Sequence, residues 1–152
     1  MNWFSVAERV VLTLWVGGMW SIGYVAVPTL FYAQDDRQLA GELAGQMFSA
    51  IHIISLVSII VLLINMAVTC KAALIKAWRA WVLLIAFALV VVSMFYLQPL
   101  MGDLKQQGLV EGSQQAAQFG KLHGISSTLY MVTSLAGLVL VIFGLRREPQ
   151  PG

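Results

Sequence analysis

Four stretches of this chain are long, apolar and almost free of charge, and that property decides most of what the chain can fold into. They cover 6–31, 48–69, 81–97 and 122–145, with Glu8 and Arg9 the only charged residues inside, both within the first two turns of the first stretch. Each is close to the ~20 residues that cross a hydrocarbon core. In lipid a backbone must satisfy its own N–H and C=O groups, so each stretch reads as a helix. With their flanking turns the expected spans are about 6–31, 46–69, 79–98 and 120–145. The expectation is an all-α fold: one integral membrane domain of 152 residues, a four-helix bundle surrounded by lipid. Composition agrees, with 59% hydrophobic and 11% charged residues, against about 25% charged in an average soluble domain. The first stretch exceeds the usual 7–15 apolar residues of a signal peptide, and no small-x-small site follows before Asp35. It is expected to remain as an anchor.

Charge then predicts orientation. Arg9, Lys71, Lys76, Arg79, Arg146 and Arg147 fall on one side of the spans, and Arg37, Lys105 and Lys121 on the other with Asp35, Asp36, Glu42, Asp103 and Glu111. By the positive-inside rule both termini face the cytoplasm, which suits a bacterial inner membrane. The net charge of +2 is thus a topology signal and gives no reason to expect nucleic acid. The single cysteine, Cys70, excludes an internal disulfide and a CxxC metal site.

The chain also nearly repeats itself. A shift of 71 residues carries Pro28 onto Pro99, Gly41 onto Gly112, Phe48 onto Phe119, His52 onto His123 and Ser55 onto Ser126. Two intervening spans restore the direction, so the bundle is expected to consist of two repeated transmembrane hairpins. Pro28 and Pro99 are placed where a proline ends or kinks a helix. Asp35 and Ser113 are the expected N-caps of helices that lead into spans two and four. The segment 102–118, rich in Gln and Gly, is the expected flexible part. Span four carries Gly120 and Gly124 four apart, then Ser126, Ser127, Thr128, Ser134 and Gly137, small and hydroxyl residues suited to close helix packing. Such a surface suits a membrane-protein partner or a homo-oligomer.

The two histidines are the only ones in the chain, and each sits in the string F-x-x-x-H-x-x-S. That spacing puts Phe48, His52 and Ser55 on one helical stripe, and Phe119, His123 and Ser126 on another. Ionisable residues inside a membrane are candidates for function. Matched depth on the outer side would let the pair hold one ligand. Zinc would want four ligands, so the two alternatives are haem, which needs two axial nitrogens, and copper, which accepts imidazole with thioether. Phe48, Phe119 and Gly124 would accommodate a haem b, while Met47, Met94 and Met101 are the thioethers on the same side. No buried carboxylate accompanies either histidine, which argues against an acid–base or nucleophilic enzyme. The competing expectation is an accessory or assembly subunit of a larger membrane complex, with no cofactor of its own.

Several segments carry a resemblance: Trp15-Val-Gly-Gly-Met-Trp20, Pro28-Thr-Leu-Phe31, Gly45-Gln-Met-Phe48 with His52, Tyr96-Leu-Gln-Pro99, and Phe119-Gly-Lys-Leu-His123-Gly-Ile-Ser-Ser127. Together they resemble the transmembrane protein 205-like family, whose bacterial members are a four-helix membrane domain of unknown function. The resemblance implies no established catalytic activity, and a link in eukaryotic relatives to tolerance of metal-containing toxins and to membrane trafficking. It points to Phe48, His52, Phe119, His123, Gly124, Ser126 and Ser127.

Overall fold

In the computed structural model, which describes residues 3–70 and 77–143, the chain is all-helical. Lys71, Lys76, Arg146, Arg147 and the side chain of Cys70 lie outside the described residues. Four helices are long and apolar enough to cross a membrane: α1 (Trp3–Ala33), α2 (Arg37–Cys70), α3 (Trp78–Gln106) and α4 (Gln114–Phe143). Each packs on its neighbour in sequence and α4 closes against α1, which gives a four-cornered bundle. Trp15, Met19, Ile51, Ile59, Leu62, Met66, Leu83, Val90 and Leu140 fill its centre. Leu14, Val25, Ile64, Ile85 and Ile142 point outward. A helix that is apolar on all sides needs lipid on the side the bundle does not cover.

Neither proline ends its helix. Both α1 and α3 continue past Pro28 and Pro99, to Ala33 and Gln106, by widening for one turn. Proline has no N–H, and its ring collides with the carbonyl four residues back, here those of Tyr24 and Phe95. A π turn, which bonds five residues back, absorbs the mismatch. The turns cover Ile22–Ala26 and Ser93–Leu97, with Val27 N–H donating to the Ile22 carbonyl and Gln98 N–H to that of Ser93. These elements lie 71 residues apart, so the repeat extends to the backbone at this point. Beyond the π turns the packing changes: Val27–Ala33 lies on α2, and Gln98–Gln106 on α4. Beyond its π turn each hairpin closes on itself.

The connections 34–36 and 107–113 correct two expectations. Asp36, not Asp35, caps α2: its Oδ1 accepts from the N–H groups of Gln38 (2.9 Å) and Leu39 (3.1 Å). Those are the second and third N–H groups of the helix, within reach of a side chain one residue before its start and too far from Asp35. Asp36→Ala should cost about 1 kcal/mol of local stability, measurable as faster amide exchange at Gln38 and Leu39. Ser113 does cap α4, accepting from the N–H of Ala116 at 3.1 Å. Much of 102–118 is ordered helix, and the non-helical part is the turn 107–113. Gly108 and Gly112 there take φ of 87° and 78°, a region that other L-residues avoid. Gly41, the repeat counterpart of Gly112, lies inside α2, so the repeat does not extend to the loops.

Glycines and side-chain bonds set the spacing between helices. A Cβ on Gly137 would stand 2.8 Å from Val16 Cγ2, and one on Gly18 would stand 3.0 Å from Ile51 Cδ1. At the opposite end, Asn65 Nδ2 donates to the Phe4 carbonyl and Arg79 Nη2 to that of Phe143, each at 3.1 Å. These bonds tie α2 to α1 and α3 to α4.

Candidate functional site

His52 is brought into the bundle by the inward face of α2, the face that also carries Ile51, Ser55 and Ile59. It is 3% exposed, and its ring stands edge-on to that of Tyr130 at 6.2 Å. Phe48, one turn away, meets the same tyrosine edge-on at 5.1 Å. The Tyr130 hydroxyl donates to the Met19 carbonyl at 2.6 Å, so one side chain of α4 joins α1 and α2. It reaches that far because Gly23, in the first π turn, offers no Cβ where the ring lies.

A polar seam continues from Tyr130 sideways to the surface of the bundle. The hydroxyls of Tyr24 and Ser134 lie 2.8 Å apart, and Trp20 Nε1 donates to the Ser134 carbonyl at 3.4 Å. Ser134 also donates to the Met131 carbonyl at 2.9 Å. Trp20 and Tyr24 pack on each other, with centroids 5.0 Å apart, at the partly exposed edge of the seam. Deeper in, His52 Nδ1 and Trp15 Nε1 are buried without a hydrogen bond among the described residues. Such groups are costly in an apolar interior.

The second histidine sits in a different environment. His123 is exposed, and its ring lies nearly parallel to Phe119 at 5.9 Å. Lys105 Nζ stands 5.6 Å over the other aromatic partner, Phe119, while donating to the Gly41 carbonyl at 3.0 Å. The imidazoles therefore have separate partners: His52 faces Tyr130 inside, and His123 faces Phe119 outside. Side-chain volume explains the asymmetry. The 71-residue shift replaces Gly23 by Met94 and Tyr130 by Ile59, so the positions equivalent around His123 offer neither the gap nor the ring that fills it.

The other candidate residues disperse. Ser55 is fully buried and donates to the Ile51 carbonyl of its own helix at 2.7 Å. Met47 and Met94 are half-buried and Met101 is buried. Ser126 is half-buried, while Gly124 and Ser127 are exposed on α4. Among the described residues no group of three or more His, Cys, Asp or Glu side chains is placed to hold a metal ion. Sequence reasoning missed Tyr130 and Lys105 as site residues, and singled out Ser134 only as one of the small and hydroxyl residues of span four. A tyrosine in the middle of a span was the available signal, since its hydroxyl must find a partner there.

Comparison with known proteins places the chain in a family. No curated protein and no solved structure matches it. Residues 10–109, which span most of α1 and all of α2 and α3, match a family described as Domain of unknown function (DUF4149), and the chain belongs to that family.

Proposed function

We propose that this protein is a non-enzymatic accessory or assembly subunit of a larger membrane complex, and that it docks a neighbouring transmembrane helix on α1 at Gly17 and Ser21. The observation that carries the reading is how its glycines are used. Gly18, Gly23 and Gly137 meet Ile51, Tyr130 and Val16, whereas Gly17 has nothing within 4 Å of the point where a Cβ would stand. Ser21, one turn above, is exposed as well. Small residues four apart let another helix backbone approach closely. Leu14 and Val25, both more than 60% exposed, flank the pair with apolar surface. The excess of basic residues in the sequence on one side of the four spans supports a bacterial inner membrane with both termini in the cytoplasm.

Gly17→Leu tests this, because no internal atom opposes the new side chain. The variant is expected to melt within about 2 °C of the wild type. On native gels of mildly solubilised membranes it should run at its own size, while the wild type migrates in a larger assembly. An assembly of unchanged size would rule out docking at Gly17.

A second reading is haem or copper handling by His52 and His123. It is favoured by the buried His52 Nδ1, which has no hydrogen bond among the described residues, and by the resemblance to the transmembrane protein 205-like family. One ion shared by two imidazoles needs facing nitrogens about 4 Å apart, at ~2 Å per bond. The different partners of the two rings favour docking over this. A Soret band, or about one copper per chain, lost in both His52→Ala and His123→Ala would reverse the preference. A colourless, metal-free sample would end the cofactor reading.

A further inference from the structure

Lys121 lies at the level where α4 passes from polar to apolar sequence. From Lys121 to Phe143 the helix runs about 33 Å at ~1.5 Å per residue, close to the ~30 Å of a hydrocarbon core. The ammonium group therefore stands at the headgroup level of the outer leaflet. It is exposed, and no hydrogen bond or ion pair engages it among the described residues. Lys105 on the same side is engaged by the Gly41 carbonyl and the Phe119 ring.

Directly below Lys121 a shallow, widely open depression of about 500 Å³ lies on the face of α4 alone, over Gly124, Ile125, Thr128 and Leu129. Gly124 forms its floor, with nothing within 4 Å of its missing Cβ. The one hydroxyl in the depression, that of Thr128, donates to the Gly124 carbonyl at 2.9 Å, which satisfies both groups. The wall left for an occupant is apolar, about 8 Å long from Gly124 to Leu129 at ~1.5 Å per residue, with a cation one turn beyond its end.

We propose that this depression binds an anionic phospholipid of the outer leaflet, with Lys121 on the phosphate and an acyl chain along Gly124, Ile125, Thr128 and Leu129. Charge selects the occupant. A second copy docking here about a two-fold axis along the membrane normal would bring Lys121 against Lys121 in a poorly hydrated contact, which costs energy. A phosphate satisfies the ammonium and continues into a chain that matches the apolar wall. The site lies on a different helix from Gly17 and does not depend on docking there.

The test uses the full chain in nanodiscs of phosphatidylcholine containing a minor share of phosphatidylglycerol, with the bound lipid read by native mass spectrometry. Wild type is expected to retain phosphatidylglycerol in preference. Lys121→Gln should lower that preference about fivefold, the factor for one lysine near an anionic surface. Gly124→Leu should abolish retention of both lipids while the melting temperature holds, because the added side chain enters open space. Equal retention of the two lipids by wild type would overturn the proposal. Unchanged selectivity in Lys121→Gln would do the same, as would a photo-crosslinker at Ile125 that captures protein in place of lipid.

Discussion

Gly23→Val is expected to lower stability by about 3 kcal/mol, the upper part of the range for overpacking a close-packed core. For a chain of this size that is a fall of roughly 6–12 °C in melting temperature in detergent. A Cβ at Gly23 would collide with Cε1 of Tyr130 and come within 3.0 Å of Cζ and Oη. The ring has nowhere to retreat: it is 7% exposed, held between Phe48 and His52, and anchored through its hydroxyl to the Met19 carbonyl. Gly23→Ala should cost less, about 1–2 kcal/mol, because alanine regains up to ~1 kcal/mol of helix propensity. Combining it with Tyr130→Ala should recover about 1–2 kcal/mol relative to the sum of the single changes, as expected for residues in direct contact. Strict additivity would mean that the two do not meet.

The second large effect belongs to Tyr130 itself. Tyr130→Ala is expected to cost about 3–5 kcal/mol, the usual range for removing a large buried aromatic. Tyr130→Phe should cost only about 1 kcal/mol, for the single hydrogen bond to Met19. The alanine variant also has a chemical signature, because Tyr130 covers His52. Diethyl pyrocarbonate, which acylates accessible imidazole nitrogen, should modify His123 alone in the wild type and both histidines in Tyr130→Ala. Modification of His52 in the folded wild type would show that Tyr130 does not shield it.

These two residues also mark where sequence reasoning stopped. The repeat suggested equivalent histidines because it compares each position only with its counterpart 71 residues on. Whether a histidine is covered depends on what crosses from other helices at its height. That is decided by Gly23 on α1 and Tyr130 on α4, neither of which belongs to the F-x-x-x-H-x-x-S string. The glycines show the same divide. Gly17 and Gly18 are adjacent in sequence, yet one is open to the surroundings and the other packs on Ile51, because neighbouring helical positions point about 100° apart.

Sequence by itself determined the number of long apolar helices and the all-helical membrane class, because an uncharged run of ~20 residues has no other way to pair its backbone in lipid. It also located both prolines at equivalent positions and Ser113 as a cap, since these are local effects of missing N–H groups and short side chains. Tertiary structure alone decided that the helices continue through the prolines, that His52 is enclosed and His123 exposed, and which glycines remain open. These outcomes depend on the volume and hydrogen bonds that neighbouring helices bring to one point, and no periodicity along a single segment encodes them.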